Sequence, residues 1–152
     1  MIHRRGSIVA GLIAFLAVGS AAFAAQGPED AAQGAAEAWL RVVDGGDYAG
    51  SWDQAARALK GAVKQADWGE MVGGVRSPLG GVVSRKLKSR EYTEKAPTTR
   101  VIGGKVYTWG GDGKHVIVQY DTAFANKAPA VETVVATADP DGVWRVSGYS
   151  IR

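Results

Sequence analysis

The sequence predicts an α+β fold in which N-terminal helices pack on a curved antiparallel sheet of about four strands. Two strand-forming runs, VETVVATA and VWRVSGYSI, are joined by Asp139-Pro140-Asp141-Gly142, which has the composition of a tight turn. Before residue 80 the apolar residues recur at helical spacing, and from residue 82 they alternate as in strands. Because an apolar sheet face needs a cover, helices followed by strands indicate two packed layers.

The closing hairpin is the strongest local prediction. In its second strand Trp144 and Val146 point to one face. Gly148 offers a place for a β-bulge, which would bring Tyr149 and Ile151 round to the same face.

Three helices are expected before the sheet. Asp30 is a suitable N-cap for the first, and Asp47 for a second over residues 48–66. Asp67 would cap a short third helix that stops near Ser77-Pro78.

The predicted sheet begins at residue 82. Residues 82–92 alternate as in a half-exposed strand, with Lys86, Lys88 and Arg90 on the solvated side of an edge strand. Residues 95–104 read as a loop, and Gly110-Gly111-Asp112-Gly113 would close a turn. An inner strand follows, with one face formed by Val116, Val118, Tyr120, Thr122 and Phe124.

Residues 1–24 have the three parts of a secretory signal peptide. A positive start at Arg4-Arg5 precedes an apolar run at residues 8–18 and the small-x-small sequence Ala22-Phe23-Ala24. We expect cleavage after Ala24, a flexible lead-in at residues 25–29, one domain over residues 30–152, and a periplasmic or secreted location. No membrane span would remain after cleavage, because the apolar run is shorter than the roughly 20 residues that a span needs.

Composition excludes several classes of function. Loss of Arg4 and Arg5 with the signal lowers the formal net charge from +3 to +1, which gives little attraction to nucleic acid. The chain has no cysteine, so it forms no disulfide, thiolate catalyst or cysteine metal site. His115 is the one histidine of the mature part and lacks neighbours at ligand spacing, so we expect a solvated residue, no metal site and no cofactor.

Several motifs together resemble a family of exported bacterial proteins, domain-of-unknown-function family 4019. They are Tyr48-x-x-Ser51-Trp52, the Trp68 helix, Arg76-Ser77-Pro78-Leu79-Gly80 followed by Arg85, Glu132-Thr133-Val134, and residues 142–149. The resemblance implies export and a cystatin-like or nuclear-transport-factor-2-like cone of helices wrapped on a curved sheet. It implies no activity, and likeness of fold does not transfer function.

Arg76 and Arg85 are the leading candidates for ligand binding. Two guanidinium groups on either side of a Pro-Leu-Gly turn would grip a carboxylate or phosphate. The alternative is structural: Arg76 complements a helix C-terminus, and Arg85 pairs with Glu132 or another acid across the sheet.

Tyr120 and Asp121 are weak candidates for catalysis, because a phenol and an acid in one cavity can perform acid–base chemistry. The two side chains face opposite sides of a regular strand, so only a bulge would bring them together.

Aromatic residues would form either a ligand pocket or the core between the layers. Trp52 and Trp144 are the candidate ligand contacts, and Trp39, Trp68, Tyr120 and Phe124 are expected chiefly in the core. Trp109 lies among glycines, where an exposed indole would indicate a partner contact.

The favoured interpretation is a non-enzymatic domain of the cell envelope that binds a partner protein, an envelope component or a small amphipathic ligand. One alternative is a pocket enzyme doing acid–base chemistry. Another is a self-associating structural protein, such as a homodimer paired through an open sheet edge.

Overall fold

The computed structural model describes residues 27–95, 99–102, 105–108 and 112–152. Helices α1 (Pro28–Asp44), α2 (Tyr48–Asp53), α3 (Arg57–Ala62) and α4 (Gln65–Arg76) come first, followed by a 3₁₀ turn at Ser77–Leu79. The strands are β1 (Val82–Lys95), β2 (Thr99–Ile102), β3 (Lys105–Thr108), β4 (Asp112–Phe124), β5 (Lys127–Ala138) and β6 (Trp144–Ile151). Helices followed by a four-stranded antiparallel sheet confirm the predicted α+β class.

Helix α1 lies across the sheet and carries the longest apolar stripe of the helical layer. It begins at Pro28, with Gly27 as N-cap, so the prediction that Asp30 caps it was wrong. Proline fits the first helical position, and the carboxylates of Glu29 and Asp30 in the first turn complement the helix dipole. The stripe that faces the core consists of Ala32, Ala36, Trp39, Leu40 and Val43.

The predicted second helix is broken into α2 and α3. Asp47 caps α2 as expected, since its side chain accepts a hydrogen bond from the amide of Gly50. Between the helices the amide of Ala56 donates to the carbonyl of Val146 in β6, at 2.8 Å, and Ala56 is extended. A bond to the sheet replaces the helical bond at this point, which sequence periodicity does not reveal.

Ser51 ties three helices together. It lies on α2 and is fully buried. Its carbonyl accepts a hydrogen bond from the indole N–H of Trp39 at 2.8 Å, and its hydroxyl accepts one from the indole N–H of Trp68 at 3.0 Å. Trp68 belongs to α4, which begins at Gln65. Asp67 therefore lies in the first turn of α4, and the prediction that it caps this helix was wrong. Each buried indole N–H thus has the partner that it needs.

The main sheet has the strand order β1-β4-β5-β6. The predicted β5–β6 turn is present, with the amide of Gly142 donating to the carbonyl of Asp139 and Gly142 at φ 79°. The pairing of β5 with β6 shifts by one residue beside Gly148. This bulge places Trp144, Val146, Tyr149 and Ile151 against one core, as predicted.

Edge strand β1 is less regular than its alternation indicates. It has three register shifts against β4, one of them between Leu87 and Ser89. After that shift Arg90 and Tyr92 face the helical layer: Arg90 pairs with Asp30 of α1, and Tyr92 packs on the core. Arg90 is exposed, as are Lys86 and Lys88, but it lies on the opposite side of β1 from the one predicted.

Strands β2 and β3 form a separate two-stranded sheet between β1 and β4 in the chain. The prediction of a loop over residues 95–104 was wrong for residues 99–102, which pair with β3. The predicted signal peptide, the exposure of Trp109 and the start of the predicted Gly110-Gly111 turn lie outside the described residues.

One hydrophobic core is formed between the helices and the inward-facing residues of β4, β5 and β6. Trp39, Trp68, Tyr120 and Phe124 are all buried, as expected of core aromatics. Within the described ranges, no helix is long and apolar enough to cross a membrane.

Candidate functional site

Arg76 and Arg85 meet at a buried cluster of charges between α1, α4 and the sheet. Arg76 is the last residue of α4 and Arg85 lies on the inner face of β1. Both bind the same two carboxylates, Asp44 at the end of α1 and Glu132 on β5. We call these four residues, together with Thr122 and Tyr149, the charge network.

Glu132 is the centre of the charge network and has no solvent exposure. Its Oε2 accepts from Arg85 Nε at 2.6 Å and from the Thr122 hydroxyl at 2.6 Å. Its Oε1 accepts from the Tyr149 hydroxyl at 2.5 Å and from Arg85 Nη2 at 3.1 Å. A buried carboxylate is tolerated when its oxygens are satisfied in this way.

Asp44 completes the charge network from the helical side. Arg85 donates to it through both terminal nitrogens, at 2.7 and 3.0 Å, which is a bidentate pair, and Arg76 donates at 2.9 Å. The Arg76 guanidinium also lies 4.9 Å from the centre of the Phe124 ring and donates to the Tyr149 hydroxyl at 3.0 Å. Two arginines and two carboxylates leave the cluster formally neutral.

The ionisation of these groups follows from their mutual contacts. Burial alone would raise the pKa of Asp44, but its hydrogen bonds and attraction to Arg85 and Arg76 hold that pKa below the ordinary 3.8. Burial, followed by the negative charge of Glu132, raises the pKa of Tyr149. The phenol therefore stays protonated and donates to Glu132.

A pocket of about 210 Å³ opens beside the charge network, between α1, β1 and β4. We call it the helix–sheet pocket. Its lining residues are Glu37, Leu40, Arg41, Arg85, Leu87 and Tyr120. Of the residues predicted to bind ligand, only Arg85 reaches it, because Arg76 is buried within the network.

Tyr120 and Asp121 lie on opposite faces of β4, as the alternation of a strand requires, and no register shift falls between these two residues. Tyr120 is 2% exposed, and its hydroxyl has no hydrogen-bond partner among the described residues. Asp121 is exposed and pairs with Lys88 of β1 at 2.8 Å. Burial, followed by the negative charge of Glu37, raises the pKa of Tyr120, so its hydroxyl is a donor and not a base.

Trp52 and Trp144 lie away from the helix–sheet pocket. Both are partly buried and pack against the core. The indole N–H of Trp52 donates to the carbonyl of Val63 at 2.9 Å, and the ammonium of Lys60 lies 5.5 Å from its ring centre. These contacts fix the chain between α2 and α4.

His115 is buried, so the expectation of a solvated residue was wrong. Its side chain faces away from the helical layer, and its Nδ1 lies 2.8 Å from the Thr137 hydroxyl. Thr137 in turn lies 2.6 Å from the hydroxyl of Ser147. The described part of the chain contains no group of three or more His, Cys, Asp or Glu side chains placed to hold a metal ion.

Sequence reasoning missed Asp44, Glu37, Arg41 and Tyr149 as site residues. Glu37 and Arg41 resemble ordinary solvent-facing residues of α1, and Asp44 resembles a helix-end residue. One weak signal was available: Glu37 lies one helical turn before the inward residue Leu40 and Arg41 directly follows Leu40, so both border whatever Leu40 contacts.

The chain was compared with known proteins. No curated protein and no solved structure matches it. The profile of the family described as "Protein of unknown function (DUF4019)" matches residues 35–149, a segment that contains α1 from its middle, the charge network and the helix–sheet pocket. The chain therefore belongs to the DUF4019 family.

Proposed function

We propose that this protein is an exported, non-enzymatic domain that binds a small amphipathic ligand in the helix–sheet pocket. The observation that carries the proposal concerns Tyr120, a residue of the pocket lining whose hydroxyl is buried and has no hydrogen-bond partner among the described residues. A buried polar group without a partner costs about 1–3 kcal/mol, and a ligand that accepts its hydrogen bond would remove that cost. Leu40 and Leu87 supply apolar contact beside it.

Binding is favoured over acid–base catalysis by the state of the two candidate groups. A phenol whose pKa is raised cannot serve as the base at neutral pH, and Asp121 lies on the other face of β4. Two carboxylates beside the pocket, Asp44 and Glu132, are already held by arginines.

Self-association through a sheet edge is disfavoured at both edges. Strand β1 carries lysines and three register shifts, which are devices that blunt an edge. On β6 the carbonyl of Val146 is already taken by Ala56 of the helical layer.

Export is part of the proposal and rests on the N-terminal sequence. The order of positive start, apolar run and Ala22-Phe23-Ala24 is typical of a cleaved signal. Intact mass of the protein recovered from the cell envelope tests it, with a chain that starts at Ala25 as the expected result. An uncleaved chain in the cytoplasm would contradict it.

Native mass spectrometry of the protein purified from the compartment that receives it tests the binding role. We expect a bound small molecule that Leu87→Trp displaces, because the larger side chain fills the pocket. Val83→Trp is the matched control, since Val83 lies on the same strand, is 72% exposed and does not line the pocket. A bound second copy or protein partner, or a small molecule retained by Leu87→Trp, would contradict the proposed role of the pocket.

A further inference from the structure

The charges around the helix–sheet pocket fall into two groups. Arg85 lines the pocket, but its charge is balanced within the charge network by Asp44 and Glu132. The remaining charged residues of the lining are Glu37 and Arg41, one of each sign. The pocket itself therefore has no net charge to offer.

Glu37 and Arg41 are four residues apart on α1, with the acid nearer to the N-terminus. This is the favourable order for an ion pair on a helix, with side chains that start about 5–6 Å apart. Yet among the ion pairs of the described residues, none joins the two. Their charged ends stay separate along the pocket wall.

Both side chains have free hydrogen-bonding capacity. The Glu37 carboxylate accepts one hydrogen bond, from the side-chain amide of Gln33 at 2.7 Å. The Arg41 side chain is exposed and has no hydrogen bond or ion pair with the described residues. A carboxylate and a guanidinium in this state attract a cation and an anion respectively.

The Tyr120 hydroxyl adds a further polar group, which has no hydrogen-bond partner among the residues that the structure describes. It is buried on β4, opposite α1, and the first two charges that act on it are those of Glu37 and Arg85, which line the same pocket. Because this phenol is protonated, it would donate to an oxygen of the ligand.

The size of the pocket limits the ligand. At about 30 Å³ of liquid volume per water, 210 Å³ holds about seven waters, so the ligand or bound group has on the order of ten non-hydrogen atoms. Such a volume is smaller than a drug-sized site.

We propose that the helix–sheet pocket binds a small zwitterion, with Glu37 receiving its ammonium, Arg41 its carboxylate, and Tyr120 donating to an oxygen. Leu40 and Leu87 contact its apolar part. This inference rests on the binding role proposed above and specifies the chemical class of the ligand. A simple anion would be repelled by Glu37, and a simple cation would be repelled by Arg41. Either would therefore bind more weakly than a zwitterion.

The test uses four probes of one shape and different charge, titrated into the isotope-labelled mature protein and followed by amide NMR shifts. The probes are leucine, its decarboxylated amine 3-methylbutylamine, its deaminated acid 4-methylpentanoate, and the uncharged 4-methylpentanamide. We expect leucine to shift the amides of α1 and β4 around the pocket. Loss of one charged contact should weaken binding about tenfold for the amine and the acid, and more for the amide.

Charge-neutralising variants identify which end of the probe each residue holds. Glu37→Gln should weaken leucine about tenfold and strengthen 4-methylpentanoate, whereas Arg41→Gln should weaken leucine and strengthen 3-methylbutylamine, because each substitution removes the charge that repels the singly charged probe. The matched controls are Glu70→Gln and Arg57→Gln, two exposed residues outside the pocket, which should leave every affinity unchanged. Because all four positions lie on helix surfaces, these variants should keep the fold.

Three results would overturn the zwitterion inference. One is that singly charged or uncharged probes bind as tightly as leucine, and another is that both variants weaken all probes equally. A third is that no probe binds. If native mass spectrometry then finds a different small molecule in the pocket, the proposed binding role holds and only the zwitterion inference fails. If it finds no small molecule, the binding role and the zwitterion inference both fail.

Discussion

The charge network and the helix–sheet pocket share Arg85, yet they differ in how far their charges are paired. In the network each oxygen of Glu132 accepts at least two hydrogen bonds, and the two arginines are matched by two carboxylates. In the pocket Glu37 and Arg41 are unpaired with each other, and the buried Tyr120 hydroxyl has no hydrogen-bond partner in the part of the chain that the structure describes. The two arginines therefore serve the fold, and the recognition that we propose would fall to their less conspicuous neighbours.

The largest expected effect is that of Glu132→Gln. The substitution keeps the side-chain volume but removes the negative charge that balances two arginines. It also places an NH₂ group, itself a donor, next to the groups that donate to Glu132. Breaking a buried pair from one side costs about 3–5 kcal/mol of unfolding free energy. Urea unfolding measures it, with exposed Glu70→Gln as the control. A loss no greater than that of the control would show that the network does not stabilise the fold.

The two buried phenols give the sharpest comparison of the regions. Tyr149→Phe should lower the unfolding free energy by about 1–3 kcal/mol, because Glu132 and Arg76 each lose a hydrogen bond. Tyr120→Phe should leave it unchanged or raise it by up to about 1 kcal/mol, because the lost hydroxyl has no partner within the described ranges. Equal losses for the two variants would contradict the distinction between network and pocket.

Asp44 makes the network sensitive to acid. Its pKa in the folded protein is below its ordinary 3.8, so its contribution is complete above that value and is lost as the pH falls through the folded pKa. Asp44→Asn should cost about 1 kcal/mol at pH 7, a modest figure because the side chain is 26% exposed. Unfolding curves from pH 7 to pH 2 should show the two proteins converging below about pH 4. A constant difference across that range would argue against an ionised Asp44 as the stabilising group.

The smallest expected effect is at the surface pair Lys88–Asp121. Both side chains are well exposed, so Lys88→Gln should change the unfolding free energy by no more than about 0.5 kcal/mol. The same urea experiment measures it. A change above 1 kcal/mol would mean that Asp121 has a structural role on the outer face of the sheet.

Much of the fold could be predicted because it is encoded locally. Asp139-Pro140-Asp141-Gly142 specifies a turn by its own chemistry, and the bulge beside Gly148 follows from the need to keep Tyr149 and Val146 on one face. The break before α3 could not be predicted, since Ala55 and Ala56 favour helix and only the contact with Val146 overrides them.

The site was predictable only in part. The pairing of Arg85 with Glu132 across the sheet was one of two alternatives, and the structure contains it. The pocket depends on the placement of α1 over β1 and β4, which is a tertiary feature. Glu37 and Arg41 therefore carried no distinguishing mark in the sequence.

The hydrogen bond from Ala56 to Val146 also bears on how the molecule opens. It links edge strand β6 to the helical layer, and both residues are buried. The Ala56 amide would exchange its proton for deuterium only when the layers separate, so its exchange rate reports global unfolding and not local fraying. Helices and sheet should consequently melt in a single cooperative transition.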